Sequence, residues 1–126
     1  MSVDAEHIAK VLQAYVDAVG GDSVEDIVKL YAEDAVVEDP VGSPPHKGHA
    51  ALREFYQIAV DAVEKMVLEG NPRIRDHWGA AAMCAYPKGM DMKFRMETLD
   101  VMEFNEQGLI TRMTAYWGDT NMVEEA

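Results

Sequence analysis

At 126 residues the chain is long enough for one compact domain with a real core and too short to divide into two, so residues 1–126 read as a single domain. Its 11 Lys and Arg against 23 Asp and Glu leave a formal charge of -12, which opposes binding to nucleic acid, anionic lipid or a strongly anionic ligand. No apolar run approaches the roughly 18 residues of a membrane span, the opening Met1-Ser2-Val3-Asp4-Ala5-Glu6 has no signal-peptide pattern, and the single Cys84 excludes an internal disulfide. The expectation is a soluble, cytoplasmic protein whose ligand is neutral or apolar.

Ile8, Val11, Leu12, Tyr15, Val16 and Val19 recur at helical spacing until Gly20-Gly21 stops the pattern, which predicts an amphipathic helix. Ser23-Val24-Glu25-Asp26 resembles a capping box and opens a second helix that carries Ile27, Leu30 and Tyr31 inward. Ala35 to Glu38 reads as a short strand running into the turn Asp39-Pro40-Val41-Gly42. The turn-rich run Gly42 to Gly48 precedes a third helix from about His49 to Asp61, with Leu52, Phe55, Tyr56 and Ala59 on its buried side. Beyond Gly70-Asn71-Pro72 the period changes to two and gives strands Ile74 to Trp78, Ala80 to Tyr86, Met90 to Phe104 and Leu109 to Trp117. The acidic end Glu124-Glu125-Ala126 reads as a solvated tail. Helices first and an antiparallel sheet afterwards indicate α+β, with the sheet curled around the helices to leave an apolar pocket.

Within the long strand, Met90, Met92, Phe94, Met96, Thr98, Asp100, Met102 and Phe104 share one face, and only Asp100 among them can ionise. A carboxylate buried among apolar neighbours finds a partner or keeps its proton, so Asp100 is expected to be a neutral acid able to donate a hydrogen bond. The competing reading is a bulge that turns Asp100 to solvent or to a cation such as Arg112. Asp39, beside a turn, sits in a very different setting. Two carboxylates in unlike environments suggest two chemical jobs. His46 and His49 have no Cys or carboxylate at ligand spacing, and no metal site is expected.

Several fragments carry a family resemblance: Tyr15 in the first helix, Leu30-Tyr31-Ala32-Glu33-Asp34-Ala35, Val37-Glu38-Asp39-Pro40-Val41-Gly42, Phe55-Tyr56, Asp100-Val101-Met102-Glu103-Phe104 and Ala115-Tyr116-Trp117. In order and spacing they resemble the ketosteroid isomerases, the steroid Δ-isomerases of the superfamily that includes nuclear transport factor 2. That family is itself the standing example of a carboxylic acid kept protonated, so the pattern is taken over from it.

The resemblance implies a cone-shaped sheet wrapped around three N-terminal helices. It makes Asp39 the general base, Tyr15 and protonated Asp100 the oxyanion hole, and Tyr31 and Tyr56 the hydrogen bonds behind Tyr15. It further implies a neutral steroid substrate, no cofactor and a homodimer through the sheet's outer face, for which Leu99, Val101 and Ile110 could supply apolar surface. Trp117, Met113, Met83, Phe55 and Met92 are the expected pocket walls, since thioethers and aromatic rings suit an apolar ligand. The region Val60 to Tyr86 does not align with the family pattern. The rivals are a relative acting on a polyketide or epoxide in the same pocket, and a non-catalytic binding module for an apolar ligand.

Overall fold

The computed structural model describes residues 3–125; Met1, Ser2 and Ala126, and with them the start of the opening segment and the last residue of the acidic end, lie outside the described residues. Helix α1 (Ala5–Gly20) begins where the Asp4 side chain accepts a hydrogen bond from the His7 amide, and Ile8, Val11, Leu12, Tyr15, Val16 and Val19 make its buried stripe. Helix α2 (Val24–Val28) is capped in the same way by Ser23, whose hydroxyl accepts from the Asp26 amide. Helix α3 (His49–Ala62) buries Leu52, Tyr56 and Val60. Both longer helices are therefore amphipathic, and each can hide its apolar side only against a sheet or a neighbouring helix.

The sheet supplies that cover. Strands β1 (Tyr31–Glu38), β2 (His46–Lys47), β3 (Val63–Arg75), β4 (Trp78–Pro87), β5 (Phe94–Phe104) and β6 (Ile110–Tyr116) lie in the order β2-β1-β6-β5-β4-β3. All neighbours are antiparallel except β1 and β6, which run parallel. A last strand, β7 (Met122–Glu124), follows a short 3-10 turn and pairs with the first residues of β5, where β6 has ended. The sheet is mixed, curved and unclosed, and the helices fill its concave face. The main core sits between them, with Ile8, Leu12, Val16, Met83, Met102, Ile110 and Met113 fully buried. Gly79 permits the close approach of α1 to β4, because a Cβ there would stand 2.7 Å from Ile8 Cγ2.

Several boundaries differ from those read in the sequence. Strand β3 starts directly at the end of α3 and reaches Arg75, and the expected strand Ile74 to Trp78 in fact crosses the β3–β4 hairpin at Asp76-His77. Gly70-Asn71-Pro72 is a bulge in the strand, not its boundary: Gly70 has φ 74° and the register to β4 shifts between Glu69 and Arg73. Proline is tolerated there because β3 is an edge strand. Strand β5 begins at Phe94, since Asp91 and Met92 adopt φ 51° and 62° in the preceding turn. Tyr31 belongs to β1, with the β1–β6 register shifting between Tyr31 and Val36. The acidic end is partly structural as well: β7 pairs with β5 and Glu125 accepts a hydrogen bond from Arg95.

Candidate active site

Alternation along β5 places Asp100 on the concave face, opposite Ala81 of β4 and Ala115 of β6. The one register shift between β5 and β6 falls beyond it, at Glu103/Phe104, so no bulge turns Asp100 outward, and Arg112 is exposed on the other side of the sheet. Asp100 is 2% exposed. Its flanking alanines offer no polar partner, and Asp100 Oδ1 and the hydroxyl of Thr98 on the same face are both buried with no hydrogen bond of normal geometry.

Burial first, and then the negative charge of Asp39, push the Asp100 carboxyl up to about 7; the nearby Thr98 hydroxyl favours the anion and pulls weakly the other way without forming a well-shaped bond. Asp100 therefore carries its proton over the acidic range and releases it only around neutrality.

Asp39 reaches the same space from the end of β1. Its carboxylate is half-buried and accepts a 2.6 Å hydrogen bond from the indole N–H of Trp117, just past the end of β6. Burial raises its pKa, while the indole bond and the positive potential of His46 hold it back. The turn that follows is pinned by Glu38, whose carboxylate accepts from the Gly42 amide at 2.7 Å, and by Val41, whose amide donates to the Ala115 carbonyl. The Asp39-Pro40 peptide is cis.

A line of three tyrosines enters from the helical side. The Tyr31 and Tyr56 hydroxyl oxygens are 2.5 Å apart, and those of Tyr56 and Tyr15 are 3.1 Å apart. All three are buried, and burial is the largest of the causes that hold their phenols well above the ordinary value, so they stay neutral. Donation in the sense Tyr31 to Tyr56 to Tyr15 satisfies each inner oxygen and leaves the Tyr15 proton free to point into the cavity.

The inner cavity, of about 80 Å³, is lined by Tyr15, Tyr56, Asp39, Thr98, Asp100 and Trp117 together with apolar groups that include Phe55 and Met96. It opens into a wider apolar recess of about 230 Å³ that shares Asp39, Phe55, Met96 and Trp117 with it. Larger surface hollows lie beside β3 and near His77, but none of the three polar groups just described reaches them. Convergent chemistry, not volume, selects this site.

Of the wall residues expected from the sequence, Phe55 and Trp117 line the cavity and the three methionines do not. Met83 and Met113 are fully buried in the core, Met83 paired with Thr98 and Met113 with Met102, and neither side chain lines the cavity. Met92 is 41% exposed in the turn before β5, where its positive φ breaks the alternation on which the expectation rests. Val19, Ala59, Val63, Met66 and Ala85 line the cavity although the sequence does not mark them as walls, and Met96 and Thr98 line it from the strand face that carries Asp100. Met96 and Thr98 share the Asp100 row and are within reach of the same periodicity; Val63 and Met66 lie on the strand that the charged, Gly-Asn-Pro-containing sequence conceals. The His49 ring nitrogen lies 2.9 Å from the Tyr31 carbonyl oxygen. Among the described residues no cluster of three or more His, Cys, Asp or Glu could hold a metal ion, and no helix is long and apolar enough to cross a membrane.

The SnoaL-like domain model matches residues 12–113. The chain belongs to the SnoaL-like domain family. This family carries the nuclear transport factor 2-like fold, and the three helices on a curved, open mixed sheet described above are that fold. Among curated relatives, the chain is 38% identical over 109 residues to a protein named Steroid Delta-isomerase from Nocardioides simplex, a match covering 86% of this chain and 88% of that one. Among solved structures it is similar, with a TM-score of 0.84 and 26% identity, to the epoxide hydrolase/cyclase-like enzyme SalBIII, described for its role in pyran ring formation in the polyether salinomycin; 96% of this chain and 98% of that one are covered. The fold thus serves more than one chemistry, and the site must discriminate among them.

Proposed function

We propose that the protein is a steroid Δ-isomerase that converts a 3-oxo-Δ5-steroid to the conjugated 3-oxo-Δ4-steroid by intramolecular proton transfer. The observation that carries this reading is a buried acid, Asp100, whose unpartnered oxygen stands in the wall of a cavity that also holds the Tyr15 hydroxyl and the Asp39 carboxylate. The similarity to a curated steroid isomerase over most of the chain supports it.

Moving a double bond into conjugation with a ketone requires taking a proton from the carbon between them and returning it two carbons away. Asp39, the more exposed and more easily ionised of the two acids, takes that proton and delivers it to the far carbon. Trp117 holds one of its oxygens, so the other is left for the shuttle. The electron pair released by the C–H bond moves onto the carbonyl oxygen and gives a dienolate. Tyr15 and protonated Asp100 donate to that oxygen in a site with little water, where each donor is worth a few kcal/mol to the transition state. Tyr31 and Tyr56 hold the Tyr15 hydroxyl in place from behind. The two acids need opposite protonation states at once, and their different burial provides this. No cofactor enters any step. A mere carrier of apolar molecules would gain nothing from a desolvated acid in its pocket.

A second reading, an epoxide-opening or cyclising enzyme, is favoured by the fold similarity to SalBIII. There Asp100 would protonate the epoxide oxygen and Asp39 would activate the attacking hydroxyl. The two readings part on one experiment. Purified protein mixed with 5-androstene-3,17-dione should produce the ultraviolet absorbance of the conjugated enone, and Asp39→Asn should abolish that signal while still binding steroid. Absence of enone formation by the unmodified protein would leave the epoxide reading standing and remove this one.

The assembly consistent with this reading is a homodimer through the outer face of the sheet, where the paired residues Leu99 and Tyr116 are each 45% exposed and Val101 is half-buried beside them. Ile110, expected to join that surface, is fully buried on the concave side instead, next to Phe104 and Tyr31.

A further inference from the structure

The inner cavity and the outer recess share Asp39, Phe55, Met96 and Trp117, and the residues that belong to only one of them fix the direction in which a ligand must lie. The donors Tyr15 and Asp100 line only the inner part, whereas Ile58, Ala62 and Pro87 line only the outer part. A ketone that reaches the donors therefore leaves the opposite end of its molecule among the outer residues.

Every outer lining group other than Asp39 and Trp117 is an apolar side chain, and those two already bond to each other. The side chains confined to the outer end, Ile58, Ala62 and Pro87, offer a polar substituent no donor or acceptor. Ile58 at its rim is 71% exposed, the largest exposure of any bulky apolar side chain among the described residues. On a helix whose other exposed positions include Arg53, Glu54, Gln57 and Asp61, Ile58 adds an uncovered apolar side chain to the rim of the recess.

The geometry points to a specificity subsite at the mouth, built by Ile58, Ala62 and Pro87, that takes an aliphatic substituent on the substrate end opposite the reacting ketone. This inference rests on the isomerase reading and adds to it the substrate class: 3-oxo-Δ5-steroids carrying an alkyl chain on the distal ring, in preference to those ending in a ketone or hydroxyl. Ile58 acts on binding alone, since it touches neither the proton shuttle nor the oxyanion donors.

The test compares two substrates, 5-androstene-3,17-dione and the 3-oxo-Δ5-steroid with a short alkyl chain in place of the 17-ketone, on the unmodified protein and on Ile58→Gln. The substitution is at a solvent-facing helix position, adds no charge near Asp39 and should leave the thermal midpoint unchanged. The unmodified protein should show a KM several-fold lower for the alkyl substrate. Ile58→Gln should raise that KM about five- to tenfold, the loss expected for uncovering part of an apolar contact, while kcat for both substrates and KM for the diketone stay within twofold. Equal KM values for the two substrates, or a loss in Ile58→Gln that is the same for both, would overturn the subsite. Turnover of neither substrate would instead remove the isomerase reading, so the two failures are distinguishable.

Discussion

Replacing Asp100 by Asn keeps the shape of the side chain and removes its titration, and the consequence for stability follows from where the carboxyl sits. Asp100 is 2% exposed, and its pKa is raised from 3.8 to about 7 by burial and by the charge of Asp39. In the unfolded chain the same group releases its proton near its ordinary value. Between about pH 4 and pH 7 the native state therefore holds a proton that the unfolded state has lost, and native stability falls as pH rises through this window. Below it both states are protonated; above it both are ionised and the penalty is constant. A shift of about three pKa units corresponds to roughly 4 kcal/mol, or about 15 °C in thermal midpoint for a domain of this size. The uncharged amide of the variant makes no such contribution. Urea denaturation of the two proteins at pH 4.5, 6 and 8 reads the effect directly, and the many surface carboxylates cancel in the comparison. Asp100→Asn should gain stability relative to the unmodified protein by several kcal/mol between the lowest and highest pH. A difference that does not change with pH would show that Asp100 titrates like a free aspartate and would refute the reasoning.

Tyr15→Phe removes one donor to the developing oxyanion and should lower kcat by roughly 10²- to 10³-fold, more than Asp100→Asn, whose amide can still donate; steady-state kinetics on the steroid diketone decides. Trp117→Phe deletes the 2.6 Å bond that favours ionised Asp39, so the acid limb of the kcat/KM profile should move to higher pH. An acid limb unchanged in position would mean that Asp39 is not the base. Leu99→Lys places a charge on the outer face of the sheet beside Tyr116 and should turn a dimer into a monomer in sedimentation, with a thermal midpoint that no longer rises with protein concentration as that of the unmodified dimer does.

The acids are more legible in the sequence than the walls, for a physical reason. A single ionisable side chain in an apolar alternation is conspicuous because burying charge is costly, and Asp100 does lie on the inner face as the alternation implies. Helices α1 and α3 are readable for the same kind of reason, since each shows a complete apolar stripe between clear stops. Edge strand β3 is not, because half of it faces solvent and its bulge uses the Gly-Asn-Pro combination that elsewhere ends a strand. The walls depend on that strand and on sheet curvature. Met83 and Met113 have the right chemistry and the right face, yet Met96 lines the cavity and they do not, and a period of two carries no information about position along a face. The hydroxyl chain Tyr31, Tyr56, Tyr15 joins residues distant in sequence, and composition alone makes each a core tyrosine.

Infrared difference spectroscopy of the unmodified protein against Asp100→Asn tests the electrostatic contrast between the two carboxyls without any substrate. At pH 5.5 the account predicts the carbonyl band of a protonated carboxylic acid that the variant lacks, and its replacement by carboxylate bands as pH rises past about 7. A spectrum at pH 5.5 in which Asp100 contributes only carboxylate bands would contradict the account.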